Sequence, residues 1–102
     1  SDAAGDGLIV DCRSSTCVAA WRPAGPLADR RVAVAVVREQ DGRRTVASHM
    51  AKHTRGLVAR HLLESGKDPR TPKGLRDLVG ARWPCELARS GHGWTLTVVD
   101  RD

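Results

Sequence analysis

At 102 residues and 11.0 kDa the chain has room for one domain with one modest core, and 40% apolar residues is compatible with folding. Seventeen Lys and Arg against twelve Asp and Glu leave a net charge of +5 and a pI near 9.9, which favours polyanionic partners through long-range attraction. Cys12, Cys17 and Cys85 form no CxxC pair and no zinc-finger spacing, and no apolar run approaches the roughly 20 residues needed to cross a bilayer, which argues against a metal-finger, disulfide-framework or membrane-spanning protein.

Phe and Tyr are absent, so Trp21, Trp83 and Trp94 are the only aromatics beside the histidines. The core is therefore expected to be Val, Leu and Ala, with small-residue strands packed on aliphatic helices. The excess of Arg over Lys suits bidentate phosphate contacts, although a high-GC genome produces the same bias. Residues 1–7 are acidic and glycine-rich, with no initiator Met and no signal-peptide pattern, and read as a flexible segment before a single domain over 8–102. A soluble cytoplasmic protein with reduced thiols, or a piece of a longer one, is the expectation.

Gly7 to Cys12 is a short apolar run that predicts a buried strand, followed by the polar turn Arg13-Ser14-Ser15-Thr16. Cys17 to Trp21 is expected as one or two helical turns ending at Arg22-Pro23. A strand running into a hydroxyl-rich turn and a helix start is a usable anion site, and equally an ordinary helix cap. Arg31 to Arg38 is the clearest strand, β-branched at alternate positions, and Asp41-Gly42 predicts a hairpin whose second strand is Arg44 to Ser48.

A long helix over Ser48 to Gly66 follows at once. At about 100° per residue, Met50, Ala51, Thr54, Leu57, Val58 and Leu62 share one side, and His49, Lys52, His53, Arg55, Gly56 and Arg60 share the other. An interior glycine costs roughly 1 kcal/mol relative to alanine, so Gly56 between Lys52 and Arg60 suggests a place where a phosphate or a backbone comes close. A solvated basic face with a glycine used for packing is the plainer alternative. Thr71-Pro72 then opens a short helix with Leu75, Leu78 and Val79 as its apolar stripe. Cys85 to Arg89 and Trp94 to Val99 are the last two strands, joined by Ser90-Gly91-His92-Gly93. The pattern is α+β: a largely antiparallel sheet of about five strands, one long basic amphipathic helix, and one or two short helices. An exposed edge strand in such a sheet invites pairing between two copies, so a homodimer is expected there.

Catalytic and metal signatures are weak. His49 and His53 have a metal-ligand spacing, but no HExxH motif or convergent carboxylate accompanies them, and Lys52 and Arg55 would repel a cation. Neither Cys12, Cys17, Ser14 nor Ser15 has a neighbouring base that the sequence supplies, and the Gly-x-Ser-x-Gly elbow and Walker A loop are missing. No cofactor, metal site or catalytic residue is assigned, and whether the chain is an enzyme stays open.

The strand and turn Ile9-Val10-Asp11-Cys12-Arg13-Ser14-Ser15, the hairpin at Asp41-Gly42, and above all the Ala-Lys-x-x-Arg-Gly-x-x-x-Arg pattern at Ala51, Lys52, Arg55, Gly56 and Arg60 resemble the C-terminal part of the YaaA family of bacterial peroxide-stress proteins. The family carries a Ser, an acidic residue and a Tyr after its first strand; Ser14 keeps the first, while Thr16 and Cys17 stand in place of the others. Family members are typically more than twice this length, so the resemblance covers nearly all of this chain and only the C-terminal half of the family's.

What the resemblance implies is a cytoplasmic protein of oxidative-stress defence, similar to relatives that bind DNA through a positively charged cleft. Together with the basic helix, it yields the leading expectation of DNA binding, largely independent of sequence. Lys52, Arg55 and Arg60 are then on phosphates, Gly56 permits close approach, and Ser14 adds hydrogen bonds. The alternative is part of an enzyme whose active site is shared with an N-terminal half and binds an anionic small molecule through the same residues.

Overall fold

The computed structural model describes residues 7–10, 17–22, 32–46, 48–67, 69–91 and 93–101, the first two stretches through their backbone pairing. Six strands and two helices run in the order β1 (Gly7–Val10), β2 (Cys17–Arg22), β3 (Val32–Gln40), β4 (Arg43–Thr45), α1 (His49–Glu64), α2 (Pro72–Gly80), β5 (Cys85–Ser90) and β6 (Gly93–Arg101). They form one sheet in the order β1-β2-β3-β6-β5, with β4 paired to the far end of β3.

The class is α+β as the patterning predicts, but the sheet is mixed rather than largely antiparallel. Its central pair, β3 with β6, is parallel over Val32↔Trp94 to Glu39↔Arg101, while the pairs β1·β2, β2·β3, β3·β4 and β5·β6 are antiparallel. The sixth strand is β2, the segment expected as helical turns. So short a run makes few helical hydrogen bonds, whereas as a strand its backbone pairs with β1 on one side and β3 on the other.

Local chemistry accounts for the connections. Asp41 and Gly42 both adopt the left-handed region (φ 55° and 77°), as the two-residue turn between β3 and β4 requires. Thr71 Oγ1 accepts from Gly74 N at 2.9 Å, and Pro72 occupies the first turn of α2. Both helices lie on one face of the sheet. Val32, Val34 and Val36 of β3 meet Leu96 and Val98 of β6 under Ala51, Val58, Leu62, Leu75 and Val79, all essentially fully buried. The aliphatic core expected from the missing Phe and Tyr is what fills this layer.

Candidate nucleic-acid interface

The candidate surface is the outer side of α1. Ser48 starts the helix by accepting Ala51 N at 3.0 Å on its Oγ, and the chain leaves through Ser65 and Gly66, the latter at φ 69°. The buried residues are Ala51, Thr54, Arg55, Val58, Ala59 and Leu62, a spacing that defines one helical face. This arc is rotated by roughly 60° from the one read in the sequence.

The rotation corrects the expected amphipathic division. Met50 and Leu57, placed on the core side by their apolar character, are 49% and 38% exposed, while Arg55, placed on the basic side, is 6% exposed. Arg55 is engaged within the molecule and is not a surface cation. Beneath the helix the sheet carries charged groups as well as apolar ones. Arg38 and Asp100 close β3 and β6 at neighbouring positions and on the core-facing parity. Arg38 Nη1 lies 3.3 Å from Asp100 Oδ1, and Thr54 Oγ1 donates to Asp100 Oδ2 at 2.8 Å. This polar floor meets Thr54, which stands on the core side as the periodicity expects.

What remains outside is a stripe of His49, Lys52, His53, Gly56 and Arg60, all exposed. Successive members fall within about 100° of arc on the helix. A Cβ built on Gly56 would meet nothing within 4 Å, so nothing inside the described molecule explains a glycine there. Ser14 and its turn lie outside the described residues.

Part of the basic surface is compensated within the molecule, and the stripe is not. Arg38, Arg44, Arg76 and Arg101 each stand within 3.3 Å of a carboxylate. Arg44 is the most engaged, bonded to Glu39 at 3.0 Å and to both oxygens of Glu86 at 3.2 and 3.1 Å. Its hydrogen bonds hold the Glu39 and Glu86 carboxyls below their usual range, and Glu39 is lowered further by Arg101 at 2.7 Å. Lys52, Arg60 and Arg43 make no ion pair among the described residues. Glu64, at the last turn, is the only carboxylate on α1.

The far end of the helix is anchored on α2. His61 Nε2 is 2.9 Å from Leu78 O, and its ring meets Trp83 edge-on at 5.5 Å. Near Trp83 a shallow depression of about 420 Å³ includes Cys85, whose thiol is pushed up chiefly by burial. A second depression, of about 570 Å³, lies between the β3–β4 hairpin and the start of α1, with Arg38, Arg43, Thr45 and Ser48 on its wall. Arg38, Thr54 and Asp100 make contacts that sequence reasoning missed. The available signal was parity, since Arg38 continues Val32-Val34-Val36 and Asp100 continues Leu96-Val98 onto the core face.

Among the described residues no three His, Cys, Asp or Glu side chains converge to hold a metal ion, and no helix is long and apolar enough to cross a membrane. The family profile described as peroxide stress protein YaaA matches residues 1–84. A UPF0246 protein of Streptomyces coelicolor is 41% identical over 105 residues, an overlap that takes in 96% of this chain and 38% of that relative. No solved structure matches the chain.

Proposed function

The chain belongs to the family of the peroxide stress protein YaaA, and on that premise we propose that it contributes to peroxide-stress defence by binding nucleic acid, DNA first, through the outer stripe of α1. In this reading Lys52 and Arg60 contact successive phosphates, with His49 and His53 at the margins and Gly56 letting the backbone of the ligand come close. Arg55 supports the helix from beneath and touches no ligand.

The observation that carries the proposal is the uncompensated charge of the stripe. Lys52 and Arg60 have no carboxylate partner among the described residues, a state they share with Arg43, Lys67, Lys73, Arg82 and Arg89, but unlike those they stand together on one helix face. Cations left unpaired on a helix face without an acidic residue until Glu64 attract a polyanion without first breaking an internal ion pair. Contacts of this type go to phosphates and carry no base identity, so weak sequence preference is expected. The choice of DNA over RNA follows the family resemblance.

Labelled duplexes of two unrelated sequences, titrated across a salt series, test this. Similar affinities that fall steeply with salt are expected; a folded chain that binds neither duplex at low salt overturns the proposal.

A further inference from the structure

Two histidines share the outer side of α1 with Lys52 and Arg60. His49 and His53 are exposed, one turn apart, and within roughly 40° of arc of each other. Neither makes a hydrogen bond, ion pair or ring contact among the described residues. We propose that these two imidazoles couple nucleic-acid binding to protons, each taking one up as a phosphate arrives, so that the stripe binds more tightly as pH falls from about 8 to about 5.5. The inference rests on the nucleic-acid reading of α1 and adds its regulation. Imidazole is the side chain that changes charge between about pH 5 and 8, whereas Lys and Arg stay positive throughout that range. Two protonated rings therefore double the charge that Lys52 and Arg60 offer a polyanion. A phosphate stabilises a proton on a neighbouring ring, and by linkage the charged ring holds the phosphate more tightly. His53 precedes Gly56 by one turn, so its ring stands beside the place where the missing side chain leaves room for a ligand backbone.

The charged groups around the two rings leave them open to this role. On α1 itself Glu64 is the only carboxylate and lies about three turns beyond His53, while Arg55 is on the buried side. From the β3–β4 hairpin, Asp41 and Arg43 border the depression that reaches Ser48, and neither contacts His49. From the sheet, Arg38 and Asp100 pair with each other under the helix. On α2, Arg76 pairs with Asp77. Among the described residues no carboxylate contacts either ring, so a phosphate meets no internal competitor for the proton. His61 differs, since its Nε2 is 2.9 Å from Leu78 O and its ring meets Trp83, away from the stripe.

Calorimetric titration of the chain with a DNA duplex at about pH 6.5, in two buffers of different ionisation enthalpy, counts the protons exchanged on binding. Anisotropy titrations at about pH 5.5 and about pH 8 then measure the affinity. Glu39 and Glu86, held below the usual carboxyl range, keep their charge at both values. Net proton uptake is expected, with binding at least about tenfold tighter at the lower pH, the scale of one added charge-assisted hydrogen bond. The salt slope should steepen there by up to roughly 1.8, about 0.9 for each added phosphate contact. His49→Gln/His53→Gln should abolish the uptake and bring the affinities at the two pH values together. His53→Lys, charged at both, should bind more tightly than the native chain at the higher pH. Salt-dependent binding with equal affinity at both pH values and no proton uptake overturns this proposal and leaves the stripe's reading intact. Uptake and pH dependence that persist in the double histidine variant overturn it as well. A folded chain that binds no duplex at either pH overturns both readings together.

Discussion

Thr54 of α1 donates a 2.8 Å hydrogen bond to Asp100 Oδ2 at the end of β6, and Arg38 of β3 approaches the other carboxylate oxygen at 3.3 Å. One carboxylate thus ties a helix to both strands of the central parallel pair. Asp100→Ala removes both interactions and leaves a largely buried guanidinium, so a loss of about 2–4 kcal/mol is expected in urea unfolding. Thr54→Val removes one hydrogen bond and should cost about 1 kcal/mol.

Gly56→Ala separates packing from ligand approach. The site has open space around a would-be Cβ, so helix propensity alone should stabilise the fold by up to about 1 kcal/mol. If a nucleic-acid backbone comes close at Gly56, the same variant binds duplex more weakly despite its greater stability. A gain in thermal midpoint with unchanged affinity would assign the glycine no part in binding.

The pH dependence of stability follows from Glu39 and Glu86. Arg44 holds both carboxyls below their usual range, and Arg101 adds to the effect at Glu39. A carboxylate whose value is lowered on folding contributes stability above its unfolded value, about 4.3, and loses that contribution as pH falls through the folded one. Thermal midpoints should therefore decline below about pH 4.5, less so in high salt, since these groups are screened. Glu86→Gln should flatten part of this decline.

Cys85 is expected to be a slow thiol despite the family's association with peroxide. Burial pushes its ionisation up, so little thiolate is present at neutral pH, and thiolate is the species that peroxide oxidises. Peptide mapping after brief, mild peroxide treatment should find Cys85 unmodified in the folded chain. Rapid sulfenic acid formation there would contradict this.

Much of the architecture was legible in the sequence where local chemistry is decisive. Asp41-Gly42 specified its turn, Thr71-Pro72 the start of α2, and the alternation Val32-Val34-Val36 the buried side of β3. Two features depended on distant partners. Cys17–Arg22 is a strand because β1 and β3 flank it, and no local pattern records those neighbours. The parallel pairing of β3 with β6 likewise joins segments separated by both helices.

The site was legible in part. Ala-Lys-x-x-Arg-Gly-x-x-x-Arg located the helix and the family, but apolar character alone assigned Met50 and Leu57 to the core and Arg55 to solvent. The structure reverses that assignment, with Met50 and Leu57 exposed and Arg55 buried. Strand parity would place Arg38 and Asp100 on the core face, yet neither was assigned there, and their meeting needs the parallel register that brings them side by side.

The most direct test of the nucleic-acid reading is fluorescence anisotropy with a labelled duplex over a salt series, comparing the native chain with Lys52→Gln/Arg60→Gln. The predicted result is weaker binding by the double variant and a salt slope shallower by roughly 1.8, about 0.9 for each phosphate no longer neutralised. Arg55→Ala, measured where it remains folded, should keep the native slope. A folded double variant that binds with native affinity and native slope would contradict the assignment of the interface to this helix.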